Sequence, residues 1–370
     1  MTMRECFAEV KDPRQAGKVM HNMGEIIVMV TCAVIAGCDV WEDIVDFCRV
    51  KEEWLRKDLQ LRLENGIPSH DTMQRVFQMM NPKEFEAGFI KWVASNCGEK
   101  CREIISVDGK TIRGSKAEAQ KPVHMVSAWA NQARIVLGQR ATDEKSNEIT
   151  AVPMLLDLLN IEGCIVTADA MSCQKTTVNK IVEKKADYVL GLKDNQRTLC
   201  EEAAEYFHSV LEEPRLLPEM PTCQTAEKGH GRIENRRYYL IDDQELLARF
   251  PGWDKLNGIG VMRSEITEKN ITTREEHFYI TSLTDVNEFA KAARAHWGVE
   301  SSLHWCLDMT FREDYSRTRK DHSAENFAVI RHIALNVLKN MDDKMSLARR
   351  RRHCAYDDTY LKKVILSIHA

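Results

Sequence analysis

Three carboxylates in this chain stand where chemistry is possible. Asp108 ends the apolar run Ile104-Ile105-Ser106-Val107, and Gly109 follows at once. Asp169 repeats the design after Cys164-Ile165-Val166-Thr167-Ala168. Short runs of Ile and Val favour a strand buried among other elements. An ionised Asp is costly to bury without a partner, so each Asp is expected at the edge of its strand, facing a cation or a hydrogen-bond cage. Glu300 is the third acid, set among Trp297, Val299, Leu303, Trp305 and Leu307 in an amphipathic stretch. Three acids on two adjacent strands and one covering helix suit two divalent ions ~3.5–4 Å apart, clamping the attacking and leaving oxygens of a phosphodiester. Mg²⁺ prefers oxygen ligands and keeps some of its waters, and Mn²⁺ is the expected substitute. The nucleophile is then a water or a DNA 3′-hydroxyl.

Two other readings of Glu300 stay open at this point. His296, Glu300, His304 and Asp308 fall four apart, so on one continuous helix they share a face. Glu300 is then either an acid paired to Arg294 or a histidine, or one ligand of a His296-Glu300-His304 site for zinc or iron. The usual His-Glu-x-x-His and Glu-x-x-His spacings are absent from this stretch.

The surrounding pattern says how the acids are held. From about residue 103 the texture is strand-like: 104–108, a short run 111–113, a polar loop 114–120, then apolar runs 123–130 and 134–140 at hairpin spacing. A helix starting near Asn147 carries Val152, Leu155, Leu156 and Leu159 on one face. The Asp169 strand, a helix through Val178 and Ile181, and a strand over 188–192 follow. A strand-helix-strand run implies a parallel pair with its ligand site at the carboxyl ends, where both aspartates lie. The expected class is α/β with α+β features.

Residues from about 12 to 97 read as helical. After the turn signal Asn65-Gly66-Ile67-Pro68, Met73, Val76, Phe77 and Met80 mark a helix capped by Ser69, His70 or Asp71. This region is either a DNA-reading helix-turn-helix, with Gln74, Arg75 and Gln78 as its groups, or a plain helical bundle. Beyond a helix near 201–210, alternation over 236–241, 258–266 and 276–281 predicts a mostly β insertion. A helix capped by Asp285 or Asn287 runs on through Glu300 to Leu307, and Phe327, Ile330, Ala334 and Val337 mark another. The expected divisions are a helical domain over 1–100, the first part of a core over 101–200, the β insertion over 201–284, completion of the core over 285–345, and a basic tail over 346–370.

The totals bound the partners. The chain has 370 residues, 44% hydrophobic and 29% charged, with net charge −4, so any nucleic-acid face must be local. Twelve cysteines are scattered without a Cys-x-x-Cys pair. With no leader in the first ten residues they read as thiols of a cytoplasmic protein. The apolar stretch 26–38 is shorter than the ~20 residues that cross a bilayer, and no membrane partner is expected.

Taken in order, several stretches resemble one family: Trp41-Glu42-Asp43-Ile44, Gly66-Ile67-Pro68-Ser69-His70-Asp71-Thr72, Val107-Asp108-Gly109-Lys110-Thr111, Asp143-Glu144-Lys145-Ser146-Asn147-Glu148-Ile149, Thr167-Ala168-Asp169-Ala170-Met171, Gly229-His230-Gly231-Arg232, and His296-Trp297-Gly298-Val299-Glu300 with Leu303-His304-Trp305. The chain resembles the H-repeat-associated transposases, a branch of the DDE transposases of bacterial insertion sequences. The resemblance implies an RNase H-like catalytic core, a β insertion before the last acid and a helical domain in front. It implies Asp108, Asp169 and Glu300 as the catalytic, metal-holding trio, with Glu313 or Asp314 as the alternative last acid. DNA, as element ends and target, is the implied partner, with at least a dimer on DNA. Basic and polar groups then acquire DNA contacts: Lys193, Asn195 and Gln196 after the last core strand; His230, Arg232, Arg236 and Arg237 on the insertion; His296 and His304 beside Glu300; Arg317, Arg319 and Lys320 beyond it. Arg349 to Arg352 read as a solvated or non-specific DNA-contacting end. The expected activity is metal-dependent strand cleavage and strand transfer. A nuclease of the same fold and an inactive DNA-binding relic are the alternatives.

Overall fold

The computed structural model describes residues 3–96, 102–117, 121–142, 148–212, 220–229, 231–269 and 271–367. In chain order the front of the chain is helical: α1 Met3–Cys6, α2 Met23–Ile35, α3 Trp41–Val50, α4 Glu52–Asp58, α5 His70–Met79 and α6 Pro82–Asn96. Then come β1 Ile104–Thr111, β2 His124–Ala130, β3 Ile135–Thr142, α7 Glu148–Leu158, β4 Ile165–Ala168, α8 Lys175–Glu183, β5 Asp187–Leu192 and α9 Arg197–Glu212. A β-rich stretch holds β6 Thr222–Gly229, β7 Arg232–Ile241, α10 Gln244–Leu247, β8 Gly258–Glu268 and β9 Ile271–Thr281. The chain closes with α11 Val286–His296, α12 Trp305–Met309, α13 Ser323–Lys339, α14 Leu347–Tyr356 and α15 Asp358–Leu366. Two compact units form: one from Met1–Glu99, Gly109–Asn147 and Glu300–Ala370, the other from Lys100–Asp108 and Glu148–Val299.

The first unit is organised on α13, buried along almost its whole length. Its polar residues serve neighbouring backbones. Asn336 accepts from Val136 N–H and donates to Val136 C=O, at 2.8 and 2.9 Å, standing in for a strand partner along β3. Asn326 donates to Phe77 C=O and Met80 C=O, closing the end of α5. Trp41, Phe77 and Phe327 stack where these helices meet. The 26–38 stretch is the buried helix its composition implied, with Ile26, Val30, Ala33 and Val34 fully enclosed. Ser69 caps α5 by accepting from Thr72 N–H. Gln78 is buried and its carbonyl accepts from His322 N–H, so one of the three groups expected of a DNA-reading helix lies in the core.

The second unit is a mixed sheet in the order β1-β4-β5-β9-β8-β7-β6. β1, β4 and β5 are parallel neighbours; β9 joins β5 antiparallel, and β8, β7 and β6 continue as a meander. The expected β insertion is present, starts with a long helix, α9, and has one strand more than alternation revealed. Its strands extend the core sheet through β9. α11 covers one face with Phe289, Ala292 and Ala293 against Ile104, Ile165 and Tyr238. α9 covers the other through Phe207, which meets Tyr239 and Phe278 edge-on.

Three expectations need correction. The strand expected over 104–108, with Asp108 at its edge, runs on to Thr111, so Asp108 lies within β1. The helix expected from 285 to 307 is broken: α11 stops at His296, Val299–His304 is a π-helix, and α12 resumes at Trp305. The tail is two ordered helices. Arg350 bonds Leu338, Met341 and Asp343 oxygens, and Arg351 holds Val34 C=O and Asp39, so neither is a solvated end. Among the described residues no helix is long and apolar enough to cross a membrane, and the ten described cysteines are thiols.

Gly260 on β8 lies against the Phe289 ring of α11. A Cβ there would lie 2.2 to 2.8 Å from ring atoms of the buried Phe289. Gly260→Ala is therefore expected to destabilise the chain by roughly 1–3 kcal/mol, the usual cost of overpacking. Adding Phe289→Leu should recover part of that loss, measured by urea unfolding.

Candidate active site

Parallel pairing of β1 with β4 runs Ile104↔Ile165, Ile105↔Val166, Ser106↔Thr167 and Val107↔Ala168. Asp108 and Asp169 are each the next residue, on strands that lie ~4.8 Å apart. Side chains alternate between faces, so Asp108 shares a face with Ser106 and Ile104, and Asp169 with Thr167 and Ile165. This is the face that α11 covers. Directly below the aspartates the buried Thr167 hydroxyl donates to Ser106 Oγ at 3.0 Å. With that proton committed, His296 Nδ1, 3.1 Å from Thr167 Oγ1, is the donor of the next bond. Both aspartates are half-buried. Asp169 accepts from Ser172 N–H at 3.2 Å, which caps the short turn Ala170–Ser172.

That turn is braced from behind. Asn195 donates to Ala170 C=O and to Cys173 C=O, and Gln196 donates to Cys173 C=O at 3.1 Å. Gly191 on β5 backs the same turn, where a Cβ would come 3.1 Å from Ala170 N. Asn195 and Gln196, expected as DNA contacts, thus use their amides to hold the loop after Asp169. Lys193 beside them is exposed.

Glu300 is exposed, in the first turn of the π-helix. Its expected rival partner is engaged elsewhere: Arg294 grips Glu227 at 2.9 and 3.1 Å. His296 and His304 belong to different helical segments, so the continuous four-residue stripe does not form. π-Helical turns are rare and frequently sit at functional sites. Here Lys339 donates to Ser302 C=O at 2.8 Å, meeting one carbonyl of the irregular turn.

Beyond the π-helix the first unit contains an ion cluster that the sequence did not advertise. Lys110 Nζ stands 2.8 Å from Asp308, 3.1 Å from Glu313 and 3.2 Å from Asp314. Glu313 is buried and also 3.5 Å from the buried Arg331. Burial pushes the Glu313 carboxyl up, yet Lys110, Arg331 and His332 together hold it below its ordinary value. Lys110 loses charge stability by burial but is raised overall by Glu313, Asp308 and Asp314. Glu313, the alternative last acid, is thus tied into a buried pair. The signal was present in the excess of acids just after Glu300, but only tertiary structure shows that Lys110 answers them.

The remaining DNA-contact candidates divide. Arg236 is mostly buried and pairs with Glu227 and Glu234, and Arg232 also pairs with Glu234. Arg294 and Arg236 press the Glu227 carboxyl down to about 2. Arg237 is exposed on the same strand, opposite Gln224 and Arg263. Arg319 is exposed and donates to Gly114 C=O at 2.8 Å, while Arg317 and Lys320 are exposed on the same segment. His304 is half-buried. His230, and most of the stretch 143–149, lie outside the described residues.

The aspartates offer hard oxygen donors where the parallel pairing of β1 and β4 ends, and that chemistry fits Mg²⁺ or Mn²⁺. Among the described residues no group of three or more His, Cys, Asp or Glu stands close enough to hold a metal ion.

Two histidines near these clusters are held neutral. Desolvation lowers His296 to about 4, partly opposed by Asp169. Burial lowers His332 to about 4, with Glu313 opposing and His304, Arg331 and Lys110 adding to the effect. Above the ordinary value of 6.5 neither the folded nor the unfolded chain protonates them. As pH falls from 6.5 towards 4 the unfolded chain takes up protons that the folded chain refuses, so stability is lost. For His332 the loss reaches roughly 3 kcal/mol at most, at ~1.4 kcal/mol per pH unit. Urea unfolding at about pH 7.5 and about pH 5 should show His332→Gln with a visibly smaller acid-side decline than the parent chain.

Comparison with known proteins shows the family. The "Transposase DDE domain" family model matches residues 99–337, and a "DDE_Tnp_1-associated" model matches 4–93. The chain is 40% identical to "Putative transposase YncI" of Escherichia coli O157:H7, over 99% of this chain and 95% of that one. It is 38% identical to "H repeat-associated putative transposase YhhI" of Escherichia coli strain K12, over 98% and 97%. "Inactive transposase YbfQ" of the same strain matches at 46% over 20% of this chain and 86% of its own. The mixed sheet with its parallel β1, β4 and β5 is the RNase H-like core of such a domain, and the chain belongs to the DDE transposases, in their H-repeat-associated branch.

Proposed function

We propose that this chain cuts DNA at the ends of an insertion sequence and joins the freed 3′ ends to target DNA, with Asp108, Asp169 and Glu300 holding Mg²⁺. The observation that carries the reading is the β1–β4 register. It delivers two aspartates on one sheet face, at the carboxyl end of the β1–β4 pairing, although β1 itself runs on to Thr111. That end is where α/β sheets bind ligands. α11 covers that face, with its last residue His296 bonded to Thr167, two residues before Asp169.

When bound, the metal ions supply the positive charge that activates the attacking oxygen and steadies the leaving one. The chain's own groups do the rest. Carboxylates crowded together repel one another, so Asp108, Asp169 and Glu300 would hold the metal only with their charge offset by it. The turn after Asp169 is kept in place by Asn195, Gln196 and Ser172. Lys193, Arg237, Arg317 and Lys320 offer exposed charge to phosphates, and binding through them weakens as salt rises. His296 stays neutral at physiological pH and acts as a donor to Thr167 rather than as a charge. Two element ends must be held at once, which calls for more than one protomer on DNA.

A supercoiled plasmid carrying candidate element ends, incubated with Mg²⁺, tests the reading. The parent chain should give nicked, linear and joined products. Asp108→Asn, Asp169→Asn and Glu300→Gln should each lower turnover by at least about a hundredfold, a loss larger than that of supporting groups around a metal, with little change in unfolding temperature. Cleavage without joining would favour a nuclease. A salt-sensitive shift without any cleavage would favour a DNA-binding relic.

A further inference from the structure

We propose that Lys110 is a positioning residue for this reaction. Through Asp308, Glu313 and Asp314 it fixes the segment that presents Glu300 to the strand that presents Asp108. The inference rests on the three-acid reading above and adds to it a residue that touches no reacting atom.

Lys110 is two residues beyond Asp108 on β1. Its side chain is 11% exposed, and its ammonium meets three carboxylates within 3.2 Å. Those carboxylates lie eight, thirteen and fourteen residues beyond Glu300, on α12 and on the turn Glu313–Tyr315. A buried ion cluster is a weak source of stability, because apolar residues of similar volume serve as well. Its value lies in specifying one arrangement, since three acids and one ammonium cannot be satisfied in a shifted register.

Other contacts point the same way. Asp314 also accepts from Arg113 N–H at 3.1 Å. Gly114 is pressed against the segment, where a Cβ would lie 2.2 Å from Ser316 O and 2.8 Å from Asp314 O. Arg319 closes the contact by donating to Gly114 C=O. Residues 110–114, just past the first acid on its strand, are thereby stitched to residues 308–319, just past the third acid's helix. The π-helix between them makes less regular hydrogen bonds than an α-helix. It therefore needs anchors outside itself: Lys339 holds its Ser302 carbonyl, and Lys110 holds α12 and the turn Glu313–Tyr315 on its far side.

The test compares Lys110→Met, which keeps length and loses charge, with Lys110→Arg, which keeps charge. Thermal unfolding reports folding. Mn²⁺ binding to the DNA-free chain is followed by electron paramagnetic resonance. The part that depends on Asp108 is taken as the difference from the same variant carrying Asp108→Asn, so that an ion entering the vacated acid cluster is not counted. Plasmid cleavage is titrated with Mn²⁺ and with DNA.

For folded Lys110→Met the Asp108-dependent Mn²⁺ affinity should fall about tenfold or more, and half-saturating Mn²⁺ in cleavage should rise to match, as for supporting residues of metal sites. KM for DNA should stay within about twofold. Lys110→Arg should recover most of the loss. If Lys110→Met does not fold, Asp314→Asn, which removes one of the three contacts from a partly exposed position, should weaken Mn²⁺ in the same direction by about threefold. Parent-like Mn²⁺ binding in folded Lys110→Met, or in Asp314→Asn where the former is unfolded, overturns the inference. So does a Lys110→Arg chain as impaired as Lys110→Met. Retention of Mn²⁺ binding and cleavage by Asp108→Asn alone would instead overturn the three-acid reading, and the role of Lys110 with it. The two failures are therefore distinguishable.

Discussion

The register between β1 and β4 is the constraint on which the rest depends. A shift of one residue in either strand would turn its side chains to the opposite face. Ile104 and Ile165 would leave the apolar layer under α11, and Asp108 or Asp169 would leave the shared face. The same register therefore buries the core and presents the acids. It is secured by polar as well as apolar means: Ser106 and Thr167 are opposite one another and hydrogen-bonded, and His296 ties the end of α11 to that pair. A slipped register would break the bond between the buried Ser106 and Thr167 hydroxyls, and a buried polar group left without a partner costs on the order of 1–3 kcal/mol.

The second theme is how acids are distributed in an acidic chain that handles DNA. In residues 312–320 acids and bases are sorted by direction. Glu313 points into the core and Asp314 towards Lys110, whereas Arg312, Arg317, Arg319 and Lys320 are exposed. The same sorting occurs on the insertion, where Glu227 and Glu234 are neutralised by Arg294, Arg236 and Arg232, leaving Arg237 outward. Net charge of −4 thus says little about the surface DNA would meet, because internal pairs consume carboxylates and cations in different proportions.

The same physics decides which elements were legible in the amino-acid sequence. The strands bearing Asp108 and Asp169 were legible because a buried parallel strand is a short apolar run, and an acid at its end stands out. α2 and α5 were legible through spacing and, for α5, its Ser69 cap. The extent of the insertion was harder, since β6 is almost wholly polar and exposed and shows no apolar alternation. The tail misled because a run of arginines looks solvated. Two of its four are buried by bonding backbone carbonyls, an outcome that composition does not encode. Asn195 and Gln196 looked like ligand contacts because they come just after a core strand. Their amides instead satisfy the carbonyls of the turn after Asp169, a need visible only once that turn exists.

The stretch around Glu300 shows most sharply where periodicity stops being informative. Spacing of four among His296, Glu300, His304 and Asp308 is the signature of one α-helical face, but the assignment presumes that the helix is unbroken. In this chain the i→i+4 ladder ends at His296 and restarts at Trp305, with a wider π-turn between. A wider turn rotates each later residue relative to an ideal helix, so a spacing of four no longer marks one face. Glu300 becomes exposed, while Asp308 turns to Lys110. Trp297 and Trp305, which a regular amphipathic helix would bury, are 47% and 58% exposed. A lone acid within an apolar α-helical face would have been a burial problem in need of a partner. On the π-turn it is an exposed carboxylate that needs none to fold.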